Sequence, residues 1–305
     1  MDFRKIIFVV GPTGVGKTAV VYFLAKRLKG EIVSCDSMQV YKEISIVNNK
    51  PSKEILKSVP HHLINIVSVT KDFDVVQFRR RTLRTLLAIN RKNRIPIISG
   101  GSGLYMKVLL DGIFENSARN LLLRKKLEHE ADKKGSAFLY EQLREKDPQA
   151  ADKIHPHDTR RIIRALEVFI INKKPISELQ KRRQGIWGKF DISIFALNRD
   201  RSELYQIINN RVEDMFKEGA LQEVRRLQKK KLSKTAAAII GVKEIRGFLN
   251  GEYDLERTKY LIKLNTRHYA KRQLTWFRRD TRLKWINVNK EATPKEIAST
   301  IIKEI

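Results

Sequence analysis

One cysteine in 305 residues, Cys35, excludes an internal disulfide and any zinc site built from several thiolates. Long apolar runs are missing as well. No stretch reaches the ~18 residues that a membrane-spanning helix needs, so no membrane partner is expected. The first glycine-rich turn begins ten residues after Met1, which leaves no room for a signal peptide and makes the cytoplasm the expected location. Acidic residues are scarce: Asp and Glu total 34 against 62 Lys and Arg, a formal charge of +28. Such a surplus implies a polyanionic partner, with a solvated basic surface as the plain alternative. Clustered arginines favour the partner, because Arg79-Arg80-Arg81, Arg160-Arg161, Arg182-Arg183 and Arg278-Arg279 carry forks that match phosphate better than lysine does. Internal repeats and low-complexity segments are absent.

Against these absences stands one compact motif. Gly11-Pro12-Thr13-Gly14-Val15-Gly16-Lys17-Thr18 fits the phosphate-binding pattern G-x-x-x-x-G-K-[ST]. The β-branched run KIIFVV (5–10) precedes it and a helix-period stretch (18–28) follows, so it lies at a strand-to-helix turn. Backbone N–H groups there wrap anionic oxygens, and Lys17 adds a point charge. The Thr18 hydroxyl is the expected ligand of a Mg²⁺ ion that also carries phosphate oxygens. The loop alone leaves open whose phosphate it holds.

Strand-like and helix-like segments alternate over residues 1–113: KIIFVV, EIVSC (31–35), HLINIV (62–67), a helix around 74–91 and IPIIS (95–99). That rhythm predicts a parallel sheet with helices on both faces. Residues 114–188 change character and predict helices at 121–134, 136–146, 159–172 and 176–183 without a strand. DISIFAL (191–197) and LKWINV (283–288) then complete the sheet, with helices near 201–217, 219–230 and 255–278. The expected fold is therefore α/β: a P-loop-like parallel sheet formed by 1–113 plus 189–305, interrupted by an all-helical insertion domain.

Several residues could do chemistry. EIVSC runs into Asp36-Ser37-Met38-Gln39, and ligands of doubly wound sheets sit beyond the carboxyl ends of the strands. Asp36 is either a magnesium-holding carboxylate or a general base facing a second substrate, the latter favoured by Ser37 and Gln39 as readers of a nucleobase edge. The 95–99 strand leads to Gly100-Gly101-Ser102, where Ser102 can donate to phosphate and where a hydrolytic carboxylate is missing. Asp158 can cap a helix whose Arg160 and Arg164 share one face. Lys259, Lys263, Arg267 and Lys271 recur at four-residue steps ahead of Trp276-Phe277, cations that suit a nucleic-acid backbone beside rings that are as readily core.

Taken together, GPTGVGKT, DSMQVY, PHHL, GGSGLY, IHPHDTRRIIRALEV, RVEDMFKEGALQEVRRL and AKRQLTWFR resemble, in order and spacing, the bacterial tRNA dimethylallyltransferases over residues 6–287. The resemblance implies transfer of a dimethylallyl group from dimethylallyl diphosphate to the exocyclic amine of the adenosine 3′ to the anticodon, with Mg²⁺. It implies that Asp36 is the general base and that Ser37, Met38 and Gln39 contact the flipped-out base. Thr13 to Thr18 would hold the diphosphate, Thr13 beside the departing oxygen, with Lys17 and Arg211 as cations. Ser102, Arg124, Arg160, Arg161, Ile162, Ile163, Arg164, Lys243, Lys271, Arg272, Gln273 and Arg278 match tRNA-contacting positions. The implied partners are the tRNA anticodon stem-loop and dimethylallyl diphosphate, bound by a monomer. A small-molecule kinase using ATP and a non-catalytic RNA-binding protein with a relic P-loop are the rival readings. Departures from the family's pattern fall at Ile46-Val47-Asn48-Asn49, in place of G-T-A before Lys50-Pro51, and at Val242, in place of an aromatic ring.

Overall fold

The computed structural model describes residues 5–114 and 120–305. Two compact units form: Met1–Lys107 with Trp187–Ile305, and Val108–Ile186. In the first, strands β1 (Lys5–Val10), β2 (Glu31–Ser34), β3 (His61–His62), β4 (Pro96–Gly100), β5 (Asp191–Asn198) and β6 (Lys284–Asn287) make one sheet in the order β3-β2-β4-β1-β5-β6. Every pairing is parallel. Central β1 places Ile7 opposite Ile97 on one side and Ser193 on the other. Ile6 to Val10 are each at most 1% exposed, so both faces of the strand are covered, which explains a run with no polar alternation. The core joins Ile7, Val9, Leu24, Ile97, Phe195 and Leu197, and the C-terminal helix Pro294–Lys303 adds Ile297 and Ile301.

The α/β architecture read from the sequence is the one observed. Helices Val75–Arg91, Arg201–Lys217 and Leu255–Phe277 lie where periodicity puts them. Asp74 and Asp254 cap two of them by accepting from Gln77 N and Arg257 N. The HLINIV run is different. Only His61–His62 pairs as a strand, because Leu63 and Asn65 adopt φ of 62° and 58°, which breaks extended backbone. The rest clasps the neighbouring loop: Ile66 N donates to Val40 O at 2.8 Å and Lys42 N to Val67 O at 2.8 Å. This run therefore braces the segment that follows Asp36.

The second unit is helical, with Leu121–Lys134, Ser136–Lys146, Pro148–Ala151, Thr159–Asn172 and Ile176–Lys181. Its boundaries fall after Lys107 and Ile186 rather than at 113/114 and 188/189. The two ends are tied together inside the unit, where Ile186 N donates to Leu109 O at 3.1 Å. Leu127, Leu139, Leu143, Ile162 and Leu166 fill the core. Fully buried Glu167 accepts from Arg124 Nε at 2.8 Å, Arg164 Nη1 at 2.5 Å and Asn120 N at 2.9 Å, and these donors hold its carboxyl below the usual range despite burial. No helix among the described residues is long and apolar enough to cross a membrane.

Replacing Glu167 by alanine strands two guanidinium groups beside an apolar core, so Glu167→Ala is expected to destabilise this unit by about 3 kcal/mol. Urea denaturation followed by circular dichroism measures it, and a loss under ~0.5 kcal/mol would contradict a structural role for the cluster.

Candidate active site

The glycine-rich loop leaves β1 at Val10 and enters the helix Lys17–Arg27. Gly14 and Gly16 take φ of 84° and 99°, backbone that a side chain would strain, and so turn the chain tightly enough to aim amides at the helix axis. Lys17 Nζ folds back to donate to Gly11 O at 2.9 Å and Pro12 O at 2.7 Å. Burial pushes the Lys17 ammonium down to about 8, opposed by the nearby Asp36 carboxylate. Arg211, projecting from the helix Arg201–Lys217, donates from Nη1 to Thr13 Oγ1 at 2.8 Å. Its guanidinium is likewise lowered by burial, to about 10, and likewise held charged by Asp36.

Asp36 follows β2, and its Oδ1 accepts from Met38 N at 2.8 Å, which shapes the turn. Ser37 N donates to Ser102 Oγ at 3.0 Å, while Ser34 Oγ donates to Gln39 Oε1 at 3.1 Å. The segments beyond β2 and β4 are thus cross-linked side by side. A cavity of about 320 Å³ opens among Thr13, Lys17, Thr18, Asp36, Gln39 and Arg211. Two cations and one carboxylate face it, a surplus of one positive charge, so it suits a bound anion next to a group that surrenders a proton.

The structure brings Thr13, Lys17, Thr18, Asp36, Gln39 and Arg211 to one cavity, and Ser37, Met38 and Ser102 to its supporting turns. Gly11, Pro12 and Val15 are buried parts of the loop's frame. Gln273 is only 5% exposed and has both ends of its amide on backbone: Oε1 accepts from Thr13 N at 2.8 Å and Nε2 donates to Gly101 O at 2.9 Å. Lys243, Lys271, Arg272 and Arg278 are exposed, with the Arg272 guanidinium 5.8 Å from the Tyr269 ring centre. Of the four-step row, Lys259 and Lys263 are paired with Glu213. Phe277 is core, and a Cβ on Gly103 would meet the Trp276 ring at 2.1 Å, so both rings are packed.

In the second unit, Arg160 and Arg161 are exposed, the latter paired with Asp158 at 3.2 Å. Ile162 and Ile163 are core residues, and Arg124 and Arg164 are bound to Glu167. Sequence reasoning missed Tyr269, Asn48 and Ile207, which also line the cavity. Tyr269 stands one helical turn before Gln273, a spacing that could have flagged it. The 46–49 departure packs beside the residue before Val242: a Cβ on Gly241 would approach Val47 Cγ1 to 2.6 Å, and Glu223 accepts from Ser45, Ile46 and Val47 N at 2.7, 3.0 and 3.0 Å. Asn48, in the threonine's place, donates to Met38 O at 2.6 Å.

A family model described as IPP transferase matches residues 39–280. A tRNA dimethylallyltransferase of Carboxydothermus hydrogenoformans is 44% identical over 303 residues, 99% of this chain and 97% of its own length. That of Halothermothrix orenii is 40% identical over 291 residues, 94% and 89% of the two chains. Among solved structures, a eukaryotic dimethylallyltransferase acting on tRNA superposes with a TM-score of 0.84 at 30% identity, over 98% of this chain and 77% of that one. The full-length tRNA isopentenylpyrophosphate transferase of Bacillus halodurans gives a TM-score of 0.71 at 34% identity, over 99% and 96%.

The lowered Lys17 value sets a pH dependence. The ammonium that attracts an anion is complete below pH 8 and is lost as pH rises through about 8, well before lysine's ordinary 10.5. Calorimetric affinity for inorganic diphosphate is expected to fall over that window, and Lys17→Arg to shift the fall upward; a flat profile to pH 10 would contradict the assignment.

Proposed function

Because the chain belongs to the IPP transferase family, we propose that the cavity holds dimethylallyl diphosphate on the P-loop and an extruded adenine against Asp36. The enzyme is a prenyltransferase that transfers a dimethylallyl group to tRNA. Kinase and passive RNA-binder readings fall away with that family membership. The observation that carries the assignment of the cavity is the placement of Lys17, Arg211 and Asp36 around one space of about 320 Å³.

In this reading the bond between the allylic carbon and the bridging oxygen of the diphosphate breaks, and a bond from that carbon to the exocyclic amine nitrogen forms. Lys17 and Arg211 stabilise the leaving diphosphate, whose charge grows in the transition state. Arg211 also fixes the Thr13 hydroxyl at 2.8 Å, beside the departing oxygen. Asp36 accepts the amine proton, and its contact with Met38 N keeps the carboxylate oriented. Gln39, steadied by Ser34, reads the edge of the base, which must leave its stack to enter a cavity this narrow.

Among the described residues no group of three or more His, Cys, Asp or Glu could hold a metal ion by itself. A Thr18 hydroxyl in a phosphate site instead fits Mg²⁺, which favours few protein oxygens together with phosphate. Bound there, the ion would neutralise diphosphate charge. Exposed Lys271, Arg272 and Arg278 form the phosphate-backbone face for the anticodon stem-loop. The protein acts as a monomer in the cytoplasm.

With labelled dimethylallyl diphosphate and an unmodified anticodon stem-loop, label is expected in the RNA without ATP; an ATP requirement would overturn the reading. Asp36→Asn is expected to lower kcat by about 10²–10⁴ while stem-loop affinity changes little. A variant that keeps full turnover removes Asp36 from the role of base.

A further inference from the structure

We infer that Gln273 is a positioning residue for the diphosphate loop and does not serve, as its basic neighbours do, to bind the RNA backbone. It lies in the basic C-terminal motif between Arg272 and Thr275, where the neighbouring cations invite an RNA-binding role. Its surroundings point elsewhere. The side chain is 5% exposed, accepts from Thr13 N at 2.8 Å through Oε1 and donates to Gly101 O at 2.9 Å through Nε2. One partner can only donate and the other can only accept, so the amide has a single workable orientation, set by backbone on both ends.

The three tied segments are the loop after β1, the turn after β4 and the helix Leu255–Phe277. Thr13, held from its amide by Gln273, is held from its hydroxyl by Arg211 at 2.8 Å. A continuous link thus runs from Gly101 through Gln273 and Thr13 to Arg211. It has a consequence for the anion cradle. The Thr13 amide is committed to Gln273 and the Val15 amide to Pro12 O at 3.4 Å, leaving those of Gly14, Gly16, Lys17 and Thr18 to face diphosphate. Room for the link is narrow: a Cβ on Gly101 would lie 2.0 Å from Gln273 Nε2, so Gly101→Ala displaces the amide without touching either substrate-facing cation.

Gln273→Ala removes both bonds. Gln273→Glu keeps the acceptor for Thr13 but sets a carboxylate oxygen against Gly101 O. The inference rests on the dimethylallyl-transfer reading, so one arm of the test is independent of turnover. Calorimetry with inorganic diphosphate is expected to show affinity about tenfold weaker in all three variants, matched by a rise in KM for dimethylallyl diphosphate of similar size. Stem-loop affinity is expected to stay within about twofold, because the exposed cations are untouched. The double variant Gln273→Ala with Gly101→Ala should be no weaker than the poorer single one, since both break the same link. Weakened stem-loop binding with unchanged diphosphate affinity would overturn the inference in favour of RNA contact. Equal loss of both affinities, tracking a fall in melting temperature, would overturn it in favour of general stability. A wild-type enzyme that binds diphosphate but never prenylates RNA would sink the proposed function and leave the positioning role standing.

Discussion

All six strands run in one direction, and the site depends on that constraint before it depends on any side chain. Parallel pairing puts the carboxyl ends of β1, β2 and β4 at one edge of the sheet. The P-loop, the Asp36 segment and the Gly100-Gly101-Ser102 turn must emerge there together, although 65 residues separate Ser37 from Ser102. Their amides and carbonyls need partners, and they find them in one another: Cys35 N on Ser99 O at 2.7 Å, Ser102 N on Cys35 O at 3.2 Å. Chemistry at this edge therefore rests on a surface already cross-linked by backbone.

Electrostatics then divides the residues into roles. Lys17 and Arg211 are both driven toward neutrality by burial, and Asp36 is the shared charge that opposes this. One carboxylate thereby helps keep two buried cations charged and ready for an anion. Elsewhere the large positive surplus is partly cancelled. Glu167 absorbs Arg124 and Arg164, and Glu213 absorbs Lys259 and Lys263. Lys271, Arg272 and Arg278, exposed and outside these pairs, stand on or just beyond the last turns of the helix Leu255–Phe277. Net charge announces a polyanion, but burial and pairing decide which cations meet it.

The departures at 46–49 and 242 are absorbed by packing. Val47 fills the space against Gly241, Glu223 secures three consecutive amides, and Asn48 reaches Met38 O next to the Asp36 turn. The aromatic ring absent at Val242 leaves a fully buried aliphatic contact.

Local patterns carried most of the architecture: the strand-loop-helix of residues 5–28, the buried runs of β4 and β5 and the helices of the second unit follow from period, capping and apolar content. The P-loop was legible because its glycines answer to local backbone geometry, and Asp36 because it ends a strand. Other features belong to tertiary structure. HLINIV has the composition of a strand, yet left-handed backbone at Leu63 and Asn65 makes it a brace. Ile162 and Ile163 sit in a motif that resembles an RNA-contacting one, yet their period carries them into the core. Tyr269 and Gln273 reach the cavity only because a helix 260 residues from the P-loop packs against it. Sequence determines which residues can bind phosphate, accept a proton or form an amide bridge, since those are properties of single side chains and short turns. Which of them do so is decided by long-range packing, because burial and partner distance exist only once the chain has closed on itself.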